Sequence, residues 1–449
     1  MGTGIGHYIP LVAYIGFWVM CLLSLTGRPL LGLYYMMPFI PYRTMRDHFD
    51  DYPLGGNMLT ILVVAVIVGA LLQGKRLPKS KLYLVWLVFG FYLYLSMWLG
   101  SAMGHAPAPF WLSDSNFVAW KDYMLIPLLF AAAGMVVDDR KAVRTVVIIT
   151  AISLFLVDKS ALAESLSHSW SAFDENKRSS GPLEFGVNQL AAFLGQFGLF
   201  FWGFGQYVKR RKAKVLIYLL VALTLFTTMY TFSRGAYLAV LVGVFMLGVL
   251  KDRKLILVLG LFLFTWQTIV PVAVTERISM THDANGALEA SAQERVDLWT
   301  QSRDLFLSSP VFGTGFATFQ FGDHTDNLKD THNWFVKVLV ETGIIGGIIA
   351  VIMLGLMLHA GYTLFRRAED PLYRGLGLGF FVAVCTCIVA NCFGDRWTYV
   401  EIMGLLWILA GTTVRAHQMV VEEVPAIEGE IQKALQPPVR SLAPHLEWT

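Results

Sequence analysis

The sequence predicts an all-α membrane protein, a polytopic bundle of about twelve transmembrane helices carrying one large helical loop on the outer face. Three observations lead there. Hydrophobic residues make up 55% of the 449-residue chain and charged ones only 15%, far from the balance of a soluble domain. Apolar runs long enough to cross a hydrocarbon layer of ~30 Å, at ~1.5 Å per helical residue, recur along almost the whole length. Basic clusters fall between those runs in an alternating pattern, as the enrichment of Lys and Arg in short cytoplasmic loops requires.

Taken in order, the expected spans are 11–27, 57–73, 82–101, 118–137, 143–158, 189–207, 214–232, 236–250, 255–274, 344–365, 373–392 and 398–414. The first has no basic n-region and no small-residue cleavage site, so it reads as an uncleaved span. Between it and the second lies 28–56, which must be external yet carries Arg28, Arg43 and Arg46. The apolar part of that segment, 29–42, is short and interrupted by Pro, and reads as interfacial or re-entrant.

Five basic clusters orient the bundle: Lys75-Arg76 with Lys79 and Lys81, Arg140-Lys141 with Arg144, 209–212, Lys251 with Arg253-Lys254, and Arg366-Arg367. Placing them inside leaves both termini cytoplasmic and puts 102–117, 159–188, 233–235, 275–343 and 393–397 outside. The chain then divides into an N-terminal transmembrane bundle (1–274), an external loop (275–343) with short helices near 294–308 and 333–341, C-terminal spans (344–414) and a cytoplasmic tail (415–449).

Composition also excludes. Cys21, Cys385, Cys387 and Cys392 lie in apolar spans and pack there as small hydrophobes, so no disulfide framework is implied. A net charge of +3 with no basic domain argues against nucleic acid. Walker A, dinucleotide, nucleophile-elbow, His-Glu-x-x-His and Asp-x-Asp motifs are all lacking, which disfavours ATP and nucleotide-sugar donors. Neither His282-Asp283 nor Asp323-His324-Thr325-Asp326 has a strong ligand spacing, and no metal or other cofactor is expected.

The spans are almost free of ionisable residues, whereas an ion-coupled carrier is expected to retain some along its path. The unusual charges sit at outer ends. Arg178 precedes Asn188, Ser233-Arg234-Gly235 joins two long apolar runs, and Arg277 and Arg295 follow in the large loop. One external arginine reads as a snorkelling side chain, but four run against the positive-inside trend. Guanidinium groups offer forked donors and keep their charge, which suits a lipid-linked phosphate or diphosphate.

His332 stands in Thr331-His332-Asn333-Trp334-Phe335, where Thr331 is expected to cap a short interfacial helix. A neutral imidazole there can accept a proton from a sugar hydroxyl; otherwise it is simply a hydrogen-bonded histidine at a helix start. Asn333 is positioned to orient it. Asp395 and Arg396, in the last external turn, and Lys121, at an outer span end, join the candidate site on position alone.

Three stretches resemble the O-antigen ligase and polymerase family of bacterial envelope membrane proteins. They are Arg178-Ser-Ser-Gly-Pro with Asn188; Ser233-Arg-Gly-Ala; and Arg295 with Trp299, Pro310-Val-Phe-Gly-Thr-Gly315 and His332-Asn-Trp-Phe through Glu341-Thr-Gly, together spanning 178–347. The resemblance implies an all-helical, GT-C-like membrane glycosyltransferase of the inner membrane with its site facing the periplasm. The donor would be a glycan on undecaprenyl diphosphate, and in the ligase branch the acceptor would be lipid A–core oligosaccharide. His332 would be the general base of an inverting, metal-independent transfer, with Arg178, Arg234 and Arg295 holding the diphosphate.

Ligase and polymerase share a donor, and the single large external segment late in the chain favours the ligase. A lipid-glycan flippase or carrier would instead show charged or broken helices along a path and a related pair of halves. A scaffold protein would leave the arginines and His332 incidental.

Overall fold

The computed structural model describes residues 8–435 except 107, 167–172, 175–177, 185, 281–289 and 322–329; side chains of 290–292 and 423–435 are also not described. All regular structure among the described residues is helical. In chain order the helices are α1 (Ile9–Leu25), α2 (Pro29–Met36), α3 (Arg43–Arg46), α4 (Met58–Leu72), α5 (Lys81–Ala102), α6 (Ser115–Val136), α7 (Arg140–Leu166), α8 (Val187–Gly205) and α9 (Arg211–Met229). They continue as α10 (Arg234–Leu250), α11 (Lys254–Ile269), α12 (Val272–Ser279), α13 (Ala290–Ser308), α14 (Thr318–Phe321), α15 (Trp334–Arg367), α16 (Pro371–Asn391) and α17 (Val400–Leu435).

Every expected span falls on a helix. Among the described residues seven of these, α4 with its preceding turn, α5, α6, α7, α9, α15 and α16, are long and apolar enough to cross a membrane. The chain is thus a multi-pass membrane protein. Helices α8 and α16 form its centre, and Gly379 makes their contact possible: a Cβ there would lie 2.5 Å from the Phe200 carbonyl oxygen.

The basic clusters gather at one end of the bundle. Arg140 Nε is 2.7 Å from Asp370 Oδ2, Lys75 Nζ is 2.7 Å from Asp138 Oδ2, and Gln418 Nε2 donates to the Lys79 carbonyl at 2.9 Å. Lys251 lies over the Tyr207 ring at 4.4 Å, tying two more loops to the same end.

Segment 28–56 departs from expectation. Tyr14 of α1 donates to the Pro53 carbonyl at 2.9 Å and stacks on Tyr52, just ahead of α4. At the other end of these helices Gly69 abuts the Ser24 carbonyl, so α1 and α4 run parallel. The connection between them therefore crosses the bundle instead of lying at one surface. Arg28 stays at the basic end, with Tyr34 reaching the Ala142 carbonyl at 3.4 Å, while Arg46 pairs with Glu401 at the far end. This places the start of α1 opposite the basic end, contrary to the expectation that both ends of the chain share one side.

Two more boundaries move. The span expected at 255–274 stops at Ile269, and Pro271 starts α12 after a bend of 105°. The short helix expected at 333–341 is continuous with the span at 344–365 as α15, broken only at Gly343 (φ 62°, ψ −166°). The spans also hold one fully buried carboxyl, Asp158 of α7, which accepts from Thr224 Oγ1 of α9 at 2.5 Å.

Candidate anion-binding site

The break in α15 organises the site. Interrupting a helix leaves carbonyls without intrahelical partners. Segment 309–315 supplies the missing donors: Thr314 N donates to the Val340 carbonyl at 2.8 Å and Gly315 N to the Glu341 carbonyl at 2.9 Å. In return Ile344 N donates to the Pro310 carbonyl at 2.9 Å. Helix α5 completes the set, with Ser96 Oγ donating to the Glu341 carbonyl at 3.1 Å and Tyr92 OH to the Thr342 carbonyl at 2.8 Å.

Backbones this close leave no room for side chains. A Cβ on Gly313 would lie 2.4 Å from Thr342 N, and one on Gly343 would lie 2.2 Å from the Val311 carbonyl oxygen. Both residues also have positive φ, which glycine adopts without steric cost. The glycines of Pro310-Val-Phe-Gly-Thr-Gly315 and Glu341-Thr-Gly343 are therefore architectural: they lock the loop into the break and fix the start of α15.

That start carries His332. Asn333, not Thr331, caps α15, its Oδ1 accepting from Phe335 N at 3.0 Å and Val336 N at 3.3 Å. Thr331 instead donates to the Asn333 carbonyl at 2.7 Å, and its own carbonyl accepts from Trp299 Nε1 of α13 at 3.0 Å. His332 has φ 50°, in the left-handed region that few non-glycine residues adopt, and the surrounding bonds hold it there. Its backbone N–H donates to Asp330 Oδ1 at 2.7 Å, and its Nδ1 lies 3.3 Å from the same oxygen.

One cavity collects the charges. Its lining includes Arg178, Arg234, Arg277, Arg295 and Arg396 together with Asn188, Glu294 and His332. The guanidinium of Arg178 donates to the Thr231 carbonyl at 3.1 Å and to Asn188 Oδ1 at 3.2 Å, tying it to the turn before α10. Ser233 Oγ donates to the same Asn188 oxygen at 2.8 Å, so Arg234 opens α10 from a fixed turn. The first turn of α10 also lines the cavity, and a helix N-terminus attracts anions.

Arg277 of α12 is 5% exposed and stacks on Phe173 at 4.8 Å. Arg396, also buried, folds back over Gly394, donating to the Phe393 carbonyl at 3.3 Å and the Asp395 carbonyl at 3.2 Å. Burial pushes the His332 imidazole below its ordinary pKa, and the positive charges of Arg295 and Arg396 act in the same direction, while Asp330 opposes them. A neutral imidazole thus faces a strongly cationic cavity.

Not every sequence candidate lines it. Lys121 lies elsewhere, pairing with Asp122 at 3.1 Å and donating to Asn57 Oδ1 at 3.3 Å. Asp395 is fully buried behind the cavity against Lys337, and Asn333 is the helix cap. Conversely, Asp330, Glu294 and Lys337 carry contacts at or behind the site that sequence reasoning did not assign. Among the described residues no group of three His, Cys, Asp or Glu side chains is arranged to hold a metal ion. His282-Asp283 and Asp323-His324-Thr325-Asp326 lie outside the described residues.

The fold and this cavity define a class: a multi-pass helical membrane protein with an arginine-lined cavity at one end of its bundle. Residues 219–351 match the family model described as O-Antigen ligase, the same family that the sequence motifs resemble. A relative named O-antigen polymerase, from Salmonella muenchen, is 32% identical over 168 residues. Those residues are 34% of this chain and 41% of the relative, so the chain spans about two fifths of the length of the curated relative it matches. The family match contains Arg234, Arg277, Arg295 and His332; Arg178, Asn188 and Arg396 reach the same cavity from outside it.

Proposed function

We propose that the protein is an O-antigen ligase of the bacterial inner membrane, transferring glycan from undecaprenyl diphosphate to a sugar hydroxyl of lipid A–core on the periplasmic face. The observation that carries this reading is the convergence of five arginines and His332 on one cavity, at the bundle end opposite the basic clusters. Positive-inside orientation puts that end in the periplasm, and all twelve expected spans are read as crossings.

The chemistry follows from the residues. The acceptor O–H loses its proton to His332 as its oxygen bonds to the anomeric carbon from the face opposite the leaving group. The bond from that carbon to the diphosphate oxygen breaks, and the configuration inverts. Undecaprenyl diphosphate departs with the electron pair, its charge met by the guanidinium groups of Arg178, Arg234 and Arg295 alongside Arg277 and Arg396. Diphosphate is already a competent leaving group, and five fixed cations supply the role a divalent metal plays elsewhere.

The polymerase reading uses the same donor and lengthens lipid-linked chains instead; the name of the Salmonella relative favours it. Purified protein given lipid-linked glycan and lipid A–core in the presence of EDTA separates them on a gel. Glycan joined to lipid A–core is the expected product. Longer lipid-linked chains with the acceptor untouched would identify a polymerase, and activity abolished by EDTA alone would overturn metal independence.

A further inference from the structure

We propose that Asp330 is the positioning residue for His332, holding the imidazole with Nδ1 toward its carboxylate and Nε2 turned to the acceptor hydroxyl. This rests on the reading of His332 as the general base. One carboxylate oxygen meets two groups of the same residue, the backbone N–H at 2.7 Å and Nδ1 at 3.3 Å. It fixes both the backbone bend that presents the ring and the ring's rotation.

The charge on that carboxylate has a chemical consequence. A carboxylate facing Nδ1 favours the tautomer with the proton on Nδ1, leaving the Nε2 lone pair to receive the proton. It also stabilises the imidazolium formed when the proton arrives. The other charges facing the ring are Arg295 and Glu294 from α13 and Arg396 from the turn after α16. Two of these three are cations that oppose protonation; Glu294 and Asp330 compensate, and Asp330 is the anion in direct contact with the ring, at 3.3 Å. The Asp330 side chain is only 12% exposed, which limits screening by water.

Asp330→Asn separates position from charge, because an amide oxygen still accepts the His332 N–H while the negative charge is lost. Glycan transfer from the lipid-linked donor is measured against pH, to whichever acceptor the enzyme uses, beside His332→Ala. The expected result is a kcat about tenfold or more lower, an unchanged KM for donor, and an acid limb moved to lower pH because the imidazole has lost its nearest anion.

His332→Ala at wild-type activity would overturn the base reading and this inference with it. An inactive His332→Ala beside an Asp330→Asn with wild-type kcat and an unmoved acid limb would overturn the positioning role alone. Should Asp330→Asn fail to fold, Asp330→Ser, whose hydroxyl also accepts that N–H, replaces it and must show the same shift.

Discussion

Lys337 and Asp395 form a buried ion pair, Nζ to Oδ2 at 3.0 Å, one residue before Arg396 in the chain. Burial alone would raise the Asp395 carboxyl, but Lys337 and the Thr398 hydroxyl at 2.6 Å reverse this and hold it below its ordinary value. Replacing Lys337 by Met leaves Asp395 buried and uncompensated, a loss of about 3–5 kcal/mol. Thermal unfolding in detergent should show it, and the Lys337→Met, Asp395→Asn double variant should recover part. Equal destabilisation of the double and single variants would remove the pair as the cause.

His332 sets the pH dependence. Its folded pKa lies below the ordinary value of about 6.5, so the unfolded chain binds more protons and stability rises with pH through that window. The contribution is full above the ordinary value and is lost as pH falls through the lower folded one. Transfer activity should follow the same protonation, holding at pH ~6.5 and falling only in more acid solution. A limb centred above that value would contradict a buried, cation-flanked imidazole.

Arg234→Lys keeps the charge and removes the fork. Donor KM should rise about tenfold, the equivalent of one lost charge-assisted hydrogen bond. An unchanged KM would show that Arg234 acts as a point charge only.

Gly343 and Gly355 lie on one helix and make a matched pair. Ala at 343 meets the Val311 carbonyl and a positive φ, whereas nothing lies within 4 Å of a Cβ at 355. Gly343→Ala should lower stability by more than about 2 kcal/mol, and Gly355→Ala should be neutral or slightly stabilising. Similar melting temperatures for the two would dissolve the proposed lock.

The parallel course of α1 and α4 is open to labelling. In a background without native cysteines, Tyr8→Cys and Leu54→Cys should react together with an impermeant maleimide, and Gln73→Cys only from the other side. Tyr8→Cys reacting with Gln73→Cys instead would restore an antiparallel pair.

Much of the site was legible because cations at outer helix ends break a strong rule. Arg178, Arg234 and Arg295 stood out against charge-poor spans, and all three line the cavity. The glycines of the late motif were visible, but their purpose depends on a contact between 309–315 and the break in α15 that no local pattern encodes. Lys121 was chosen by depth alone, and depth does not specify which way around the bundle a side chain faces. The course of 28–56 was misread because its helical part is short; its crossing is completed by 3-10 and irregular backbone packed against α1, α4 and α7.

That crossing bears on how the protein enters the membrane. The stretch ahead of Arg28 contains no Lys, Arg, Asp or Glu. With 29–42 returning beside it, α1 can be delivered as half of a hairpin whose leading turn, at Arg28, remains on the ribosome's side, while residues 9–25 cross without a Lys, Arg, Asp or Glu side chain. Insertion machinery that reads direction from basic residues meets one at the turn of the hairpin, Arg28, rather than at the flank of either arm.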